Sequence, residues 1–295
     1  MIKQITTLKS VLGFRIFSSI AIQYPLNHQE VKRIKKYLHE NVSSLDLLLH
    51  QQEKHLESFQ YCSDLHVDTH KKMLNIKPIH PTLLIAGDLG SPLHPHFESF
   101  LSLVSKRFNK VYFIAGNHEY ESCSLFNEKK FGKLNQIVAQ ICDIFSNVYF
   151  LDNNTVIHND KIVIAGTTLW SMPILKFEPR RDYADHVFKH KQAVKFIEDT
   201  RKKYAHKKIV LVSHYLPSLS LIEEKYKARG ALAISWFGTN LDYLINDPIV
   251  ACVGGHSHSV LNIKVNGVPC MINAHGYPRD NSSNLILPKE FTVRY

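Results

Sequence analysis

Apolar positions recur along this chain with two periods, and the switch between them marks its elements. From Gln29 to Glu57 the apolar residues Val31, Ile34, Leu38, Val42, Leu45 and Leu49 step by three or four. That spacing is one face of an amphipathic helix, with Lys32, Arg33, Lys35 and Lys36 on the other. Beyond it, short apolar runs alternate with longer helical patterns. The runs predict strands at Phe59 to Ser63, Leu83 to Ala86, Val111 to Ala115, Val148 to Leu151, Lys161 to Ala165, Lys208 to Ser213 and Ile249 to Val253. Two more, Val260 to Val265 and Val268 to Asn273, flank Asn266-Gly267, the strongest short hairpin signal. Helices are predicted over Pro95 to Phe108, Glu128 to Phe145 and Val187 to Tyr204. No Pro/Gly/Ser-rich linker interrupts residues 58–295, so they read as one α/β domain behind an N-terminal extension of residues 1–57.

Composition narrows the class. At 295 residues, 44% hydrophobic and 21% charged, the chain suits a globular protein with a sizeable core. No apolar window approaches the length of a membrane span. The net charge of +10 favours anionic partners, but no basic run interleaved with aromatics singles out nucleic acid, which is therefore not the favoured partner. Cys62, Cys123, Cys142, Cys252 and Cys270 are odd in number and contain no CxxC pair, which reads as free thiols in a reducing compartment. A cytoplasmic location is the expectation. The alternative is mitochondrial, because residues 1–28 carry Lys3, Lys9 and Arg15 with no acid.

The chemistry sits at the ends of the predicted strands. Asp64-Leu65-His66, Gly87-Asp88, Gly116-Asn117-His118-Glu119, His214 and Gly255-His256-Ser257-His258 each follow an apolar run. Open α/β sheets place ligands there. In Asp-x-His and His-x-His, residues two apart on extended backbone face one side, so each pair can aim at one centre. Carboxylates, an amide oxygen and imidazoles without thiolate suit manganese, iron or zinc. The set is too large for one tetrahedral ion, whereas two ions sharing a carboxylate would use it all, and such pairs serve phosphoryl transfer. Taken singly, any of the 18 histidines reads as structural. Five clusters at strand ends do not.

These five motifs, DLH, GDLG, GNHE, SHY and GHSH in that order, resemble the calcineurin-like metallophosphoesterases. Gly166 to Trp170, Ser213 to Ser218 and Asn273 to Pro278 extend the likeness to the small soluble bacterial and viral-type members. The resemblance covers about residues 58–295 and implies a four-layered αββα sandwich. It implies that Asp64, His66 and His258 hold one divalent ion, that Asn117, His214 and His256 hold a second, and that Asp88 bridges them. His118 would be the general acid and a metal-bound hydroxide the nucleophile, acting on a small phosphate mono- or diester. GDLG and the Ala115 before Gly116 lack the arginines of the protein Ser/Thr phosphatase branch, which lowers that assignment. His94, His96, Tyr120, Arg180 and Arg181 are weaker loop candidates for substrate contact. The rival readings are a metal-dependent nuclease and a metal-binding scaffold without catalysis. No ligand position has been lost, which argues against the scaffold.

Overall fold

The computed structural model describes residues 56–121, 128–174 and 181–295, without the side chains of 121, 128–131 and 181–183. The N-terminal extension with its amphipathic helix, Cys123 and Arg180 lie outside the described residues. Where it is described, the chain forms two sheets. The first, in the order β13-β1-β3-β4-β5, joins β1 (Leu56–Cys62), β3 (Thr82–Ala86), β4 (Lys110–Ile114), β5 (Val148–Leu151) and β13 (Glu290–Arg294). The second, in the order β10-β11-β9-β8-β7-β6, joins β6 (Asn154–Ile157), β7 (Ile162–Thr167), β8 (Lys208–Ser213), β9 (Ile249–Gly254), β10 (Val260–Val265) and β11 (Val268–Asn273). β2 (Asn75–Ile76) and β12 (Leu285–Ile286) make a separate two-stranded pair.

Strand periodicity explains the layering. Successive side chains leave a strand on opposite faces. Leu84 and Ala86 of β3, with Tyr112 and Ile114 of β4, face Ile164, Val210, Val212, Ala251 and Val253 of the second sheet in one buried cluster. Their neighbours Leu83, Ile85, Val111 and Phe113 point the other way, onto Phe97, Phe100, Leu101 and Val104 of the helix Pro95–Ser105 and Val138 of the helix Glu128–Asp143. Val163, Ala165, Ile209 and Leu211 cover the far face of the second sheet and meet Ala193 and Ile197 of the helix Arg181–Lys203. The result is the expected αββα sandwich. Both sheets are buried on both faces, which is why their central strands read as continuous apolar runs.

The predicted hairpin forms. β10 and β11 pair antiparallel from Val260 opposite Asn273 to Val265 opposite Val268. Asn266 and Gly267 both take positive φ, 50° and 82°, as a type I′ turn requires.

The bounds of several elements shift. The last long helix starts at Arg181 instead of Val187. Its buried stripe includes His186, His190 and Thr200 beside Ala193 and Ile197, so counting apolar residues alone missed its first turns. β6 and β13 were not expected. Both are short edge strands with exposed positions and weak apolar alternation.

Candidate metal centre

Asp64, His66, Asp88, Asn117, His118, His214, His256 and His258 all lie just past the carboxyl ends of β1, β3, β4, β8 and β9. The backbone there is strained. Asp64, His66, Asp88, His256 and His258 have φ of 52°, 44°, 54°, 66° and 50°. Such left-handed conformations cost about 1–3 kcal/mol each in non-glycine residues and cluster at functional sites. The extended backbone expected for Asp64-Leu65-His66 and His256-Ser257-His258 is therefore corrected. These residues have left their ladders, and the turns aim their side chains. The turns are pinned by backbone bonds, Asp64 N to Gly87 O at 3.0 Å and His66 N to Asp88 O at 3.0 Å.

Two groups result. In one, ligand atoms of Asp64, His66 and His258 lie within 4.8 Å of one another, with His66 Nε2 and His258 Nε2 3.1 Å apart. In the other, Asp88, His214 and His256 meet the same condition. Asn117 joins the second group, its Oδ1 3.1 Å from His214 Nε2. Asp88 touches both: Oδ1 lies 3.3 Å from His214 Nε2 and Oδ2 3.8 Å from His66 Nε2.

Fixed acceptors orient three of the imidazoles. His214 Nδ1 donates to Ala86 O at 3.0 Å, His256 Nε2 to Trp236 O at 3.2 Å, and His258 Nδ1 to Asp280 Oδ2 at 3.0 Å. An oxygen acceptor demands N–H on that side, so when the ring is neutral the opposite nitrogen carries the lone pair; the Nε2 of His214 also faces Asp88 Oδ1 and Asn117 Oδ1, which favour a proton there until a cation takes its place.

Burial sets the charge states. Desolvation pushes His66 and His256 down to about 3, which keeps them neutral, as metal ligands must be. Burial would also lower His214, but the adjacent Asp88 carboxylate overrides it and lifts the ring to about 9. Burial raises Asp64, against the pull of His214. Asp88 moves the other way: burial opposes its charge, but His214 holds its carboxyl far below the usual range.

The residues fit a pair of divalent ions. Asp64 Oδ2 is buried without a hydrogen-bond partner among the described residues, a costly state that a cation would relieve. The oxygen and nitrogen donors match manganese, iron or zinc. Space is kept by the absence of one side-chain atom: a Cβ on Gly116 would lie 2.1 Å from Asp88 Oδ1.

His118 stands beside the first group without joining it. Its ring meets His66 edge-on at 4.7 Å between centroids, Nε2 lies 3.0 Å from Asp68 Oδ2, and its backbone N–H donates to Asp88 Oδ1 at 2.8 Å. Glu119 faces elsewhere. Its carboxylate accepts from the backbone N–H groups of Gly116 at 2.7 Å, Leu89 at 2.6 Å and Asp88 at 3.2 Å, tying the loops after β3 and β4 together. Burial lifts its carboxyl to about 7.

Among the weaker candidates, His94 caps the helix Pro95–Ser105, accepting from His96 N at 3.2 Å. His96 bonds to Val67 O at 3.0 Å. Tyr120 is buried, its hydroxyl donating to Asn135 Oδ1 at 2.7 Å. Sequence reasoning passed over Asp68, Asp280 and the Trp236 carbonyl. Asp68 had a signal, since it continues the spacing of Asp64 and His66 by two more residues. The other two had none, because they reach the site only through the fold.

The family model described as calcineurin-like phosphoesterase matches residues 59–260. An uncharacterized protein of Acanthamoeba polyphaga mimivirus is 26% identical over 229 residues, covering 68% of this chain and 80% of the relative. The crystal structure of phosphopantetheinyl hydrolase from Mycobacterium tuberculosis superposes with a TM-score of 0.54 at 18% identity, over 76% of this chain and 90% of that one. At that identity the likeness is one of fold. No helix among the described residues is long and apolar enough to cross a membrane.

Proposed function

Because the chain belongs to the calcineurin-like phosphoesterase family, and is thus a metal-dependent phosphoesterase, we propose that residues 58–295 form a two-ion hydrolase of small phosphate mono- or diesters, with residues 1–57 as an extension of that domain. The observation that carries this reading is Asp88, whose two oxygens reach toward the two groups of ligands. Asp64, His66 and His258 would hold one ion, and Asn117, His214 and His256 would hold the other. Manganese, iron and zinc all suit the donors.

Bound ions at such a centre activate water as a nucleophile and stabilise charge on the phosphoryl oxygens. The protein does the rest. Asp88, with one oxygen near each group, would supply negative charge that offsets the repulsion of two bound cations. Ala86 O and Trp236 O take the Nδ1–H of His214 and the Nε2–H of His256, which leaves His214 Nε2 and His256 Nδ1 as the atoms that would meet an ion. His118 is the catalytic acid. It delivers a proton to the leaving oxygen as its bond to phosphorus breaks, and Asp68 keeps its ring in place. A cytoplasmic setting is part of the same reading, supported by the buried free thiols Cys62, Cys142, Cys252 and Cys270.

The test is hydrolysis by the metal-stripped full chain after reloading with manganese, iron or zinc. The panel holds nucleotides, cyclic nucleotides, phosphopeptides, phosphopantetheinyl esters, phospholipid head groups and single-stranded DNA. Metal-dependent cleavage of a small ester, lost in Asp88→Asn, is expected. A fully loaded protein that cleaves nothing would contradict the reading, and cleavage of DNA alone would make it a nuclease.

A further inference from the structure

His258 differs from the other oriented imidazoles in what it leans on. His214 and His256 donate to backbone carbonyls, which the fold fixes. His258 donates Nδ1–H to a side chain, Asp280 Oδ2, at 3.0 Å. Its other nitrogen, Nε2, faces the first group, 3.1 Å from His66 Nε2 and 3.7 Å from Asp64 Oδ1. A carboxylate can only accept, so this bond requires the proton on Nδ1 and leaves the lone pair on Nε2, the atom that would face an ion. In an imidazole without such a partner the two tautomers compete.

Asp280 does a second thing with the same oxygen. Oδ2 also accepts the backbone N–H of Tyr277 at 3.0 Å. The Tyr277 ring lies almost flat on His66, with centroids 4.0 Å apart and planes 21° apart. The turn from His275 to Asn281 is further tied down by Gly276 N to Asp64 O at 2.9 Å and by Asn281 N to Tyr277 O at 2.9 Å. One carboxylate thus connects the outer face of His258 to the turn that covers His66.

We infer that Asp280 is a positioning residue for the first ion: it sets the His258 tautomer and docks the Tyr277 turn over His66. This rests on the proposed reading that Asp64, His66 and His258 hold an ion. Outer partners of ligating histidines typically change metal affinity by about 10–100-fold when removed. The carboxylate also adds charge near the ion, which Asn cannot supply while it can still accept the Nδ1–H bond.

The experiment is calorimetric titration of the metal-stripped full chain with Mn²⁺, comparing wild type, Asp280→Ala, Asp280→Asn and His258→Asn. The expected result is that Asp280→Ala weakens one of two binding events by about 10–100-fold and leaves the other unchanged. Asp280→Asn should fall between it and wild type, and it carries the test if the alanine variant fails to fold. Nitrogen NMR of the metal-free protein adds a readout independent of binding: one His258 tautomer in wild type, a mixture in Asp280→Ala. Wild-type affinities and an unchanged tautomer in both Asp280 variants, while His258→Asn loses one event, would overturn the role of Asp280. Unchanged binding in His258→Asn would instead overturn the ligand reading beneath it, and the inference with it.

Discussion

His118 Nε2 sits 3.0 Å from Asp68 Oδ2, and that carboxylate is held in turn by the backbone N–H of Ser91 at 3.1 Å. Burial works against charge on Asp68, but the bonds from His118 and Ser91 win and keep its carboxyl below the usual range. The pair gives the ring one orientation beside Asp64, His66 and His258.

That pairing predicts a substrate-dependent defect. An alkyl leaving group departs as a strong base and needs a proton, while a nitrophenolate does not. His118→Asn should slow alkyl phosphates by about 10²–10⁴-fold and nitrophenyl phosphates far less. Asp68→Asn should show the same selectivity at smaller size. Both should retain normal metal content. Steady-state rates on the two esters, with metal analysis alongside, check this. Equal slowing of both esters with loss of an ion would make His118 a ligand.

Gly116 predicts a defect of another kind. A Cβ there would meet Asp88 Oδ1 at 2.1 Å, Asp88 N at 2.7 Å and His214 Cε1 at 2.7 Å. Two of these atoms are a short side chain and backbone, so the loop itself must shift. Gly116→Ala should cost about 1–3 kcal/mol of stability, the usual price of overpacking, and should reduce ion binding. Denaturant titration and metal analysis measure the two effects. A variant with full stability and full metal content would show that the loop has room.

Stability should also depend on pH through His186. The ring is buried against Trp170, Tyr215 and Trp236, and its Nε2 accepts from Ser171 N at 3.1 Å. Desolvation, with His190 adding to it, pushes it down to about 4. In the unfolded chain its pKa returns to about 6.5. Between those values the unfolded state binds a proton that the folded state excludes. Its contribution is therefore complete above pH 6.5 and is lost as pH falls toward 4, by about 3 kcal/mol at most. Denaturant midpoints of the metal-free protein across this window should fall less steeply in His186→Gln than in wild type. Parallel profiles would remove His186 from the explanation.

The parts of this molecule written in period and motif were legible before any fold was known. β8, β10 and β11 fall where their apolar runs lie, and Asp64, His66, Asp88, Asn117, His214, His256 and His258 come together from five strand ends. What was hidden depends on tertiary structure. The left-handed turns at Asp64, His66, Asp88, His256 and His258 leave no mark in residue type, since these positions carry no glycine. Asp280 is 22 residues from His258, and Trp236 O is a backbone atom 20 residues from His256. Neither spacing follows a local rule. His186 hid the start of its own helix, because a buried histidine counts as polar in any apolar pattern.

Whether two ions share Asp88 is tested most directly by electron paramagnetic resonance of the manganese-loaded full chain. Ions bridged at roughly 3.5–4 Å couple magnetically. With two equivalents of Mn²⁺ bound, wild type should give the many-line spectrum of an exchange-coupled pair, and Asp88→Asn the six-line spectrum of isolated ions. An uncoupled six-line spectrum from wild type at full loading would contradict the bridge.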